Sequence, residues 1–250
     1  MIREGVAIIV EEPVVRSPLY ENQKDRGAIF SEFFGRLMAE AYSGHLKEHH
    51  SVRESVGLID LTFYGAIMVG GKESAQFLNG LVTNDVKPLT KGKCQRAAFL
   101  TGHGKVKALC RIFGLGECQY LIINDPQTHE SVFKYIFPFS YAGDFQVEDC
   151  SDKYRILSIQ GPKSLLVMKE ICFEPVPALT DNEWIETLIA GHQVMVAFSS
   201  HTGEPGYDIM VPVEGAEDVW DFILMKGRNL RDLSMILMIK QVCRTIQHGH

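Results

Sequence analysis

The stretch from Tyr42 to Val106 is the most informative part of this 250-residue chain. It contains the segments YSGHLKEHHSVR (42–53), GLID (57–60), TNDV (83–86) and LTGHGKV (100–106). Leu46, His49 and Val52 recur at helical spacing and a glycine follows, which predicts a helix over about 44–56. The glycine-rich turn in the last segment lies between two apolar runs, which is typical of a hairpin. The stretch therefore predicts a helix followed by hairpin-joined strands.

Strand and helix patterns continue on both sides of this stretch. We predict strands over 58–69, 94–100, 106–113, 119–124, 194–199 and 207–213, and two more within 144–160. We predict helices over 72–81, 126–137, 161–171 and 215–225, and two within 21–56, whereas 172–193 reads as irregular. Because short turns join most strands, the fold class is predicted to be α+β, with mostly antiparallel sheets and helices on their faces.

The order of these patterns also predicts a division of the chain. Two groups of strands and helices echo each other, and no glycine–serine linker separates them. We expect one discontinuous α+β subdomain built from residues 1–53 and 144–250. A second α+β subdomain, residues 54–143, is inserted into it and packs closely against it.

Composition and charge exclude several classes of function. The net charge is −6 and 46% of residues are hydrophobic, so neither nucleic acid nor an anionic membrane is the expected main partner. No apolar run approaches the roughly 18–20 residues of a membrane span. The N-terminal apolar run is too short for a signal peptide, and the six cysteines form no C-x-x-C pair. We expect a cytoplasmic protein without a zinc site or a disulfide framework.

Basic residues crowd one part of the chain. This pattern has two readings, a solvated basic face or a site for a polyanionic ligand tail. The residues concerned are Lys87, Lys91, Lys93, Arg96, Lys105, Lys107 and Arg111.

Two glycine-containing loops are candidates for ligand contact. Gly102-x-Gly104 lacks the third glycine of a nucleotide fingerprint and precedes a strand, so it reads as a tight turn. In Thr202–Tyr207 a carboxylate, Glu204, lies between glycines that let a ligand approach the backbone closely. A carboxylate accepts two hydrogen bonds from a planar edge that carries two N–H donors. The second loop therefore has two readings, a solvated turn or a ligand contact.

Five motifs in order resemble the glycine-cleavage T-protein family of folate-dependent aminomethyltransferases. They are the helix 42–53, the segment GLID, the turn TNDV, the segment IQGP (159–162) and the segment TGEPGYD (202–208). The resemblance covers about residues 17–226 and implies a folate-binding α+β fold with tetrahydrofolate as cofactor. It implies that Glu204 holds the pterin, that Asn124 lines the site, and that a lipoyl carrier protein delivers the one-carbon unit.

The chain departs from the family pattern at the site itself. The two aspartates that this family carries after its glycine turn align with Ala108 and Leu109. Tyr64 stands in place of a methionine and Arg96 in place of a tyrosine, so both are expected to contact folate with altered chemistry. A lost general acid or base costs on the order of 10²–10⁴-fold in rate, so the sequence leaves open whether this chain is an enzyme.

The C-terminal part of the chain departs further. We expect the family's C-terminal barrel to be absent, and we therefore expect a homodimer or a partner chain at the face that the barrel would cover. Arg231 and Arg244 are candidate substitutes for the arginine that meets the folate tail in this family.

The resemblance implies one-carbon, here aminomethyl, transfer to tetrahydrofolate, as in the glycine cleavage system. Three alternatives stay open. They are a non-catalytic folate-binding or partner-binding paralogue, a folate-dependent demethylase, and a folate-binding protein of the iron–sulfur and tRNA-modification type.

Overall fold

The computed structural model describes residues 14–33, 35–229 and 233–235. The strands are β1 (Val15–Arg16), β2 (Ile29–Phe33), β3 (Arg36–Ala41), β4 (Val56–Asp60), β5 (Gly65–Gly70), β6 (Cys94–Leu100), β7 (Val106–Gly116), β8 (Gln119–Asn124), β9 (Gln146–Asp149), β10 (Tyr154–Gln160), β11 (Trp184–Ile189), β12 (His192–Phe198), β13 (Gly206–Pro212) and β14 (Leu233–Met235). The helices are α1 (Tyr20–Asp25), α2 (His45–Glu54), α3 (Ser74–Asn79), α4 (His129–Ile136), α5 (Ser164–Ile171) and α6 (Ala216–Asn229), with short 3-10 segments at Phe137–Tyr141 and Val213–Gly215. No described helix is both long and apolar enough to span a bilayer.

The described strands form three sheets. A six-stranded sheet has the order β11-β12-β13-β10-β4-β14, and a five-stranded sheet has the order β6-β7-β8-β5-β9. A three-stranded sheet has the order β1-β3-β2. All pairs in the five-stranded sheet are antiparallel, and in the six-stranded sheet only β14 with β4 is parallel. The predicted α+β class with mostly antiparallel sheets is confirmed.

The two larger sheets face each other, and each carries helices on its outer face. Because side chains alternate along a strand, neighbouring residues enter different cores. Leu58 of β4 packs with Trp220 of α6, whereas the adjacent Ile59 packs in the core between the sheets. Likewise Ile112 of β7 packs under the helices of its sheet, and Phe113 packs between the sheets. The interface between the sheets is the layer in which strands from both halves of the chain meet.

Three predictions of secondary structure are wrong. The apolar run 58–69 is two strands, because residues 61–64 turn the chain out of one sheet and into the other. The first helical segment predicted within 21–56 is mostly the hairpin β2–β3, and only Tyr20–Asp25 is helical. The segment 172–193, predicted as irregular, contains β11. It pairs with β12 through a two-residue turn in which Ala190 and Gly191 both have positive φ, and alanine does not signal such a turn.

The expected subdomain boundaries lie near the changes of sheet. β4, which the sequence placed in the inserted unit, pairs with β10 in the six-stranded sheet. β9, which it placed in the other unit, pairs with β5 in the five-stranded sheet. The chain therefore changes sheet between Asp60 and Gly65 and again between Asp149 and Tyr154. The division at 54 and 144 stays a prediction.

Candidate functional site

A cavity of about 320 Å³ lies between the six-stranded and five-stranded sheets. Residues of β6, β7 and β8 form one wall, and residues of β10, β13 and the loop that starts at Ser199 form the other. Its apolar walls include Leu61, Phe113, Ile123, Ile156 and Met210, and its charged or polar groups are Tyr64, Arg96, Arg111, Asp125, Ser199, Ser200, His201 and Asp208. A volume of this size with few polar groups is typical of a small-molecule site.

Strand register places two arginines next to each other on one wall. Arg96 of β6 is paired directly with Arg111 of β7, and both line the cavity. Like charges directly opposite each other on neighbouring strands destabilise a sheet, so the cavity must compensate them. Nη2 of Arg111 donates to the carbonyl oxygen of Asp181 at 2.9 Å, while its Nε and Nη1 are buried without a hydrogen-bond partner. No hydrogen bond or ion pair among the described residues involves the side chain of Arg96.

Three lysines of the basic cluster have partners outside this cavity. Lys91 pairs with Glu186 and Lys93 with Glu183, each at 2.9 Å. Lys107 lies over the ring of Tyr135 instead. Of the seven basic residues of the cluster, Arg96 and Arg111 are the two that line this cavity.

The opposite wall carries a histidine–aspartate pair. Nε2 of His201 lies 2.9 Å and 3.0 Å from the two carboxylate oxygens of Asp208. Ser158 donates its hydroxyl to Asp208 at 2.7 Å, and Ser199 Oγ lies 3.2 Å from the same histidine nitrogen. Burial by itself raises the pKa of Asp208, but the charge of His201 and the hydrogen bonds from His201 and Ser158 outweigh it and lower that pKa to about 2. Asp208 is therefore ionised, and both of its carboxylate oxygens accept hydrogen bonds.

A buried glutamine holds the loop that carries His201. Gln160 is fully buried, and its Nε2 donates to Ser158 Oγ at 2.9 Å and to the carbonyl oxygen of Ser199 at 3.0 Å. Its Oε1 accepts the backbone N–H of His201 at 3.0 Å. The glutamine thus connects the end of β10 to the first residues of the loop. It reaches this position because Gly206, its partner across the strand pair, has no side chain.

Asp125 is the second carboxylate in the cavity, and its surroundings differ from those of Asp208. It follows the last residue of β8 directly, and burial raises the pKa of its carboxyl group although one backbone hydrogen bond from Gln127 opposes the shift. That bond, from Gln127 N to Oδ1, measures 2.8 Å. No described residue donates a hydrogen bond to its Oδ2. Both carboxylate oxygens of Asp208 therefore have hydrogen-bond partners, whereas Oδ2 of Asp125 has none among the described residues.

The structure brings two of the four predicted folate contacts together. Tyr64 and Arg96 line the cavity on facing walls, and the Tyr64 ring makes an edge contact with His201 at 6.3 Å between centroids. Glu204 and Asn124 are not among the residues that line it. The candidate arginines for a folate tail, Arg231 and Arg244, lie outside the described residues.

Glu204 lies on the loop that begins with the cavity-lining residue Ser199, and it forms an ion pair. Nη1 of Arg53, in α2, donates to Glu204 Oε1 at 2.7 Å. Both side chains keep partial solvent exposure, 43% for Arg53 and 25% for Glu204. The pair ties the loop to the helix of the opening motif. The second carboxylate oxygen of Glu204, Oε2, accepts no hydrogen bond from a described residue.

Asn124 is buried within the helix-covered face of its sheet. Along β8 the side chains of Tyr120 and Ile122 pack under the helices, whereas Ile123 lines the cavity. Alternation places Asn124 with the former group. It is 1% exposed, and neither Oδ1 nor Nδ2 has a hydrogen-bond partner among the described residues.

Asn124→Leu is expected to raise the free energy of unfolding by about 1 kcal/mol, because an unpaired buried amide costs about that much or more. Chemical denaturation measures the change. The matched control is Asn79→Leu, since the amide of Asn79 is paired with Asp85 and with the N–H of Val86 and its loss should destabilise. A loss of stability in Asn124→Leu would show that the amide has a partner.

The two positions that align with the family's aspartates lie on opposite faces of β7. Ala108 is 3% exposed and packs under the helices, whereas Leu109 lines the cavity and is 56% exposed. A leucine therefore occupies the mouth of the cavity where the family pattern has an acid. Among the described residues, no group of three His, Cys, Asp or Glu side chains is arranged to hold a metal ion.

Sequence reasoning did not select Asp125, His201 and Asp208 as site residues, and it named Arg111 only as one of seven basic residues that could bind a ligand tail. Asp125 had the clearest signal, a carboxylate immediately after a buried strand. His201 and Asp208 flank the loop that was singled out for Glu204, so the loop was found but its neighbouring residues were not.

Comparison with known proteins gives consistent matches. Residues 19–235 match the family model described as GCVT N-terminal domain. The chain is 32% identical over 213 residues to the aminomethyltransferase of Bacillus subtilis (strain 168), which covers 85% of this chain and 59% of that protein. The chain thus spans less than two thirds of the length of this relative.

Two solved structures share the fold. The glycine cleavage system aminomethyltransferase T from Bartonella henselae superposes with a TM-score of 0.79 at 24% identity, covering 89% of this chain and 59% of that one. A chain of the heterotetrameric sarcosine oxidase from Corynebacterium sp. U-96, solved with pyrrole 2-carboxylate, gives a TM-score of 0.54 at 16% identity. It covers 74% of this chain and 91% of that one.

Proposed function

Because the chain belongs to the GCVT N-terminal domain family, we propose that it binds a reduced folate and transfers a one-carbon unit to it. The observation that carries the proposal is the match over residues 19–235 together with a 32% identical aminomethyltransferase. The cavity between the sheets is the proposed place of reaction.

The residues of the cavity suit the chemistry of a folate. A pterin is a flat ring with a polar edge, and the cavity offers apolar side chains together with a few polar groups. The Tyr64 ring and the His201 ring, inclined at 65° to each other, give aromatic surface on one side of the cavity. Two buried guanidinium nitrogens of Arg111 lack a partner, so a polar ligand group or its charge would compensate them. We therefore place the ring system in this cavity.

The chain's own residues have separate tasks in this proposal. The reduced folate supplies the ring nitrogen that accepts the one-carbon unit. Tyr64 packs against the ring, and Arg96, exposed at the mouth, attracts the carboxylates of the tail. His201 and Asp208 form a fixed dipolar pair on the facing wall, and Gln160 keeps their loop in position. Phe113 and Met210 exclude water from the space between them.

Glu204 and Asn124 can both contact the folate, but each has a structural requirement. Glu204 can hold a planar N–H edge with Oε2 while Arg53 holds Oε1, which fixes the carboxylate. Asn124 needs a rotation of its side chain or a ligand that reaches the helix-covered face, where its two unpaired polar atoms lie.

Glu204→Gln is expected to weaken binding of a stable reduced folate by about 10- to 150-fold, because a hydrogen bond to a charged group is worth about 1.5–3 kcal/mol. Calorimetric titration measures the dissociation constant. Arg53→Gln tests the structural role of the ion pair, and Glu174→Gln, at an exposed site, is the matched control. Equal weakening by Arg53→Gln and Glu204→Gln would assign the effect to the loop and not to a pterin contact. Absence of binding in the unmodified chain would refute the proposed function.

The donor and the partners are further parts of the proposal. A lipoyl carrier protein that delivers an aminomethyl group is the first candidate donor, and a different methyl donor is the alternative. An assay of methylene transfer with the carrier and with N-methylated amines distinguishes them. Sedimentation tests the proposed homodimer or partner chain.

One observation favours a non-catalytic folate-binding protein as the second candidate function. Leu109 occupies the mouth of the cavity where the family pattern has an acid. Folate binding without any one-carbon transfer would support this second candidate.

A further inference from the structure

The cavity holds two carboxylates, and only one of them is available for chemistry. We propose that Asp125 is the catalytic residue that carries the proton during one-carbon transfer, in the place that the aspartate pattern of the family leaves to Leu109. This inference rests on the proposed function.

Strand register places Asp125 beside Leu109. Cys110 of β7 is paired with Asn124 of β8, and these are the last paired residues at this end of the two strands. Leu109 precedes Cys110 and Asp125 follows Asn124, and alternation places both on the side of the sheet opposite to that pair. Both line the cavity. A carboxylate on β8 therefore reaches the space next to the position from which β7 would have supplied one.

The local backbone fixes the position of Asp125. Its carbonyl oxygen accepts the N–H groups of Thr128 and His129, each at 3.0 Å, in the turn that leads into α4. Its Oδ1 accepts the N–H of Gln127 at 2.8 Å. This leaves Oδ2 as the oxygen that no described residue occupies. A residue that is positioned by one oxygen and open at the other can exchange a proton with a ligand.

The other carboxylate, Asp208, has a structural role. Asp208 accepts hydrogen bonds from His201 and Ser158, and these interactions keep it ionised far below neutral pH. Burial has the opposite effect on Asp125 and raises its pKa. Two carboxylates whose environments move their pKa values apart are the usual arrangement of a site in which one exchanges protons and the other stabilises charge.

The charges around Asp125 come from both walls and from the adjoining helix. The groups that share the cavity with it are Tyr64, Arg96, Arg111, His201 and Asp208. In α4, His129 is bound to Asp149 and Glu130 to Lys134, so neither is directed at Asp125. Because these groups can titrate together, the shape of one pH profile of activity does not identify Asp125. The profiles of variants at Asp125 must be compared with that of the unmodified chain.

The proton transfer conserves atoms and charge. Asp125 Oδ2 accepts the proton that the folate ring nitrogen loses as this nitrogen forms its bond to the carbon of the one-carbon unit. Asp125 then donates this proton to the amine nitrogen of the donor. The bond between that amine and the carbon breaks, its electron pair stays on the amine, and the carboxylate is restored. With an aminomethyl group on a thiol carrier, the carbon is still bonded to sulfur after this step. A second folate nitrogen then displaces the thiolate from the carbon, and the proton that this nitrogen loses goes to the sulfur. No oxidant or reductant takes part.

The test compares Asp125→Asn and Asp125→Glu in the full chain, with Asp152→Asn at an exposed site as control. Asp125→Asn keeps an oxygen for the N–H of Gln127, so it should fold, and thermal unfolding checks this. We expect a decrease in kcat of about 10²–10⁴-fold with nearly unchanged affinity for a stable reduced folate. Asp125→Glu should recover part of the rate and shift the acidic limb of the pH profile.

A second readout does not depend on turnover. Infrared titration of the carboxyl groups in the ligand-free protein should show one group that titrates above the usual aspartate range and is absent in Asp125→Asn. Full activity in Asp125→Asn, or no difference in the titration, would overturn this inference and leave the proposed function intact. If the unmodified chain binds no folate, the proposed function fails and this inference fails with it.

Discussion

Gly206→Ala is expected to lower the free energy of unfolding by about 2–4 kcal/mol, from overpacking together with loss of buried hydrogen bonds. A Cβ atom at Gly206 would lie 2.2 Å from Nε2 of Gln160, which is closer than real contacts allow. Gln160 cannot yield without cost, because it is fully buried and bonded to Ser158, Ser199 and His201. The substitution should therefore also displace the loop that carries His201.

Chemical denaturation measures this loss, and the near-ultraviolet circular dichroism of Tyr207 and Phe198, which are in edge contact, reports the local change. Gly102→Ala is the matched control. No heavy atom lies within 4 Å of a Cβ placed there, and its φ is not in the left-handed region. That control should be neutral, or stabilising by about 0.4–1 kcal/mol through the unfolded state. Equal effects of the two substitutions would contradict the proposed role of Gln160.

Asp208→Asn is expected to lower the free energy of unfolding by about 2 kcal/mol at pH 5, a difference that should disappear towards pH 2. The folded protein lowers the pKa of Asp208 from 3.8 to about 2. A lowered pKa stabilises the folded state at pH values above the unfolded pKa. That contribution is lost as the pH falls through the folded pKa, because both states are then protonated.

Unfolding curves at several pH values between 5 and 2 measure the difference in free energy of unfolding between Asp208→Asn and the unmodified chain. Asp218→Asn is the control, because Asp218 makes a similar contact with His192, at 3.0 Å, but is 70% exposed. Exposed ion pairs contribute about 0–1 kcal/mol, so the control should show little pH-dependent change. If the free energy of unfolding depended equally on pH in both variants, burial of the His201–Asp208 pair would contribute nothing to stability.

Predictions from the sequence were most accurate where the signal was local. Helix α2 and the hairpin β6–β7 were predicted because periodicity and glycine turns lie within a few residues of each other. The run 58–69 was predicted as one strand because both halves are apolar, and apolarity does not report which sheet a strand joins. β11 was missed because its turn uses Ala190 in a conformation that alanine rarely adopts.

The family resemblance likewise depended on motifs in order along the chain, and it is confirmed by the match over residues 19–235. The site itself was only partly predicted. Tyr64 and Arg96 were selected by alignment to a pattern and both line the cavity. Glu204 was selected from the same kind of pattern, but a helix 151 residues away supplies Arg53 to its carboxylate.

The sequence by itself determined the α+β class and the family, because these depend on periodicity and on motifs that are contiguous in the chain. Only the tertiary structure decided which carboxylates share a cavity and which of them is free. Asp208 is held by His201 and Ser158, whereas Asp125 keeps one oxygen open. The physical reason is that burial and hydrogen-bond partners arise where two sheets meet, from residues that are far apart in the chain.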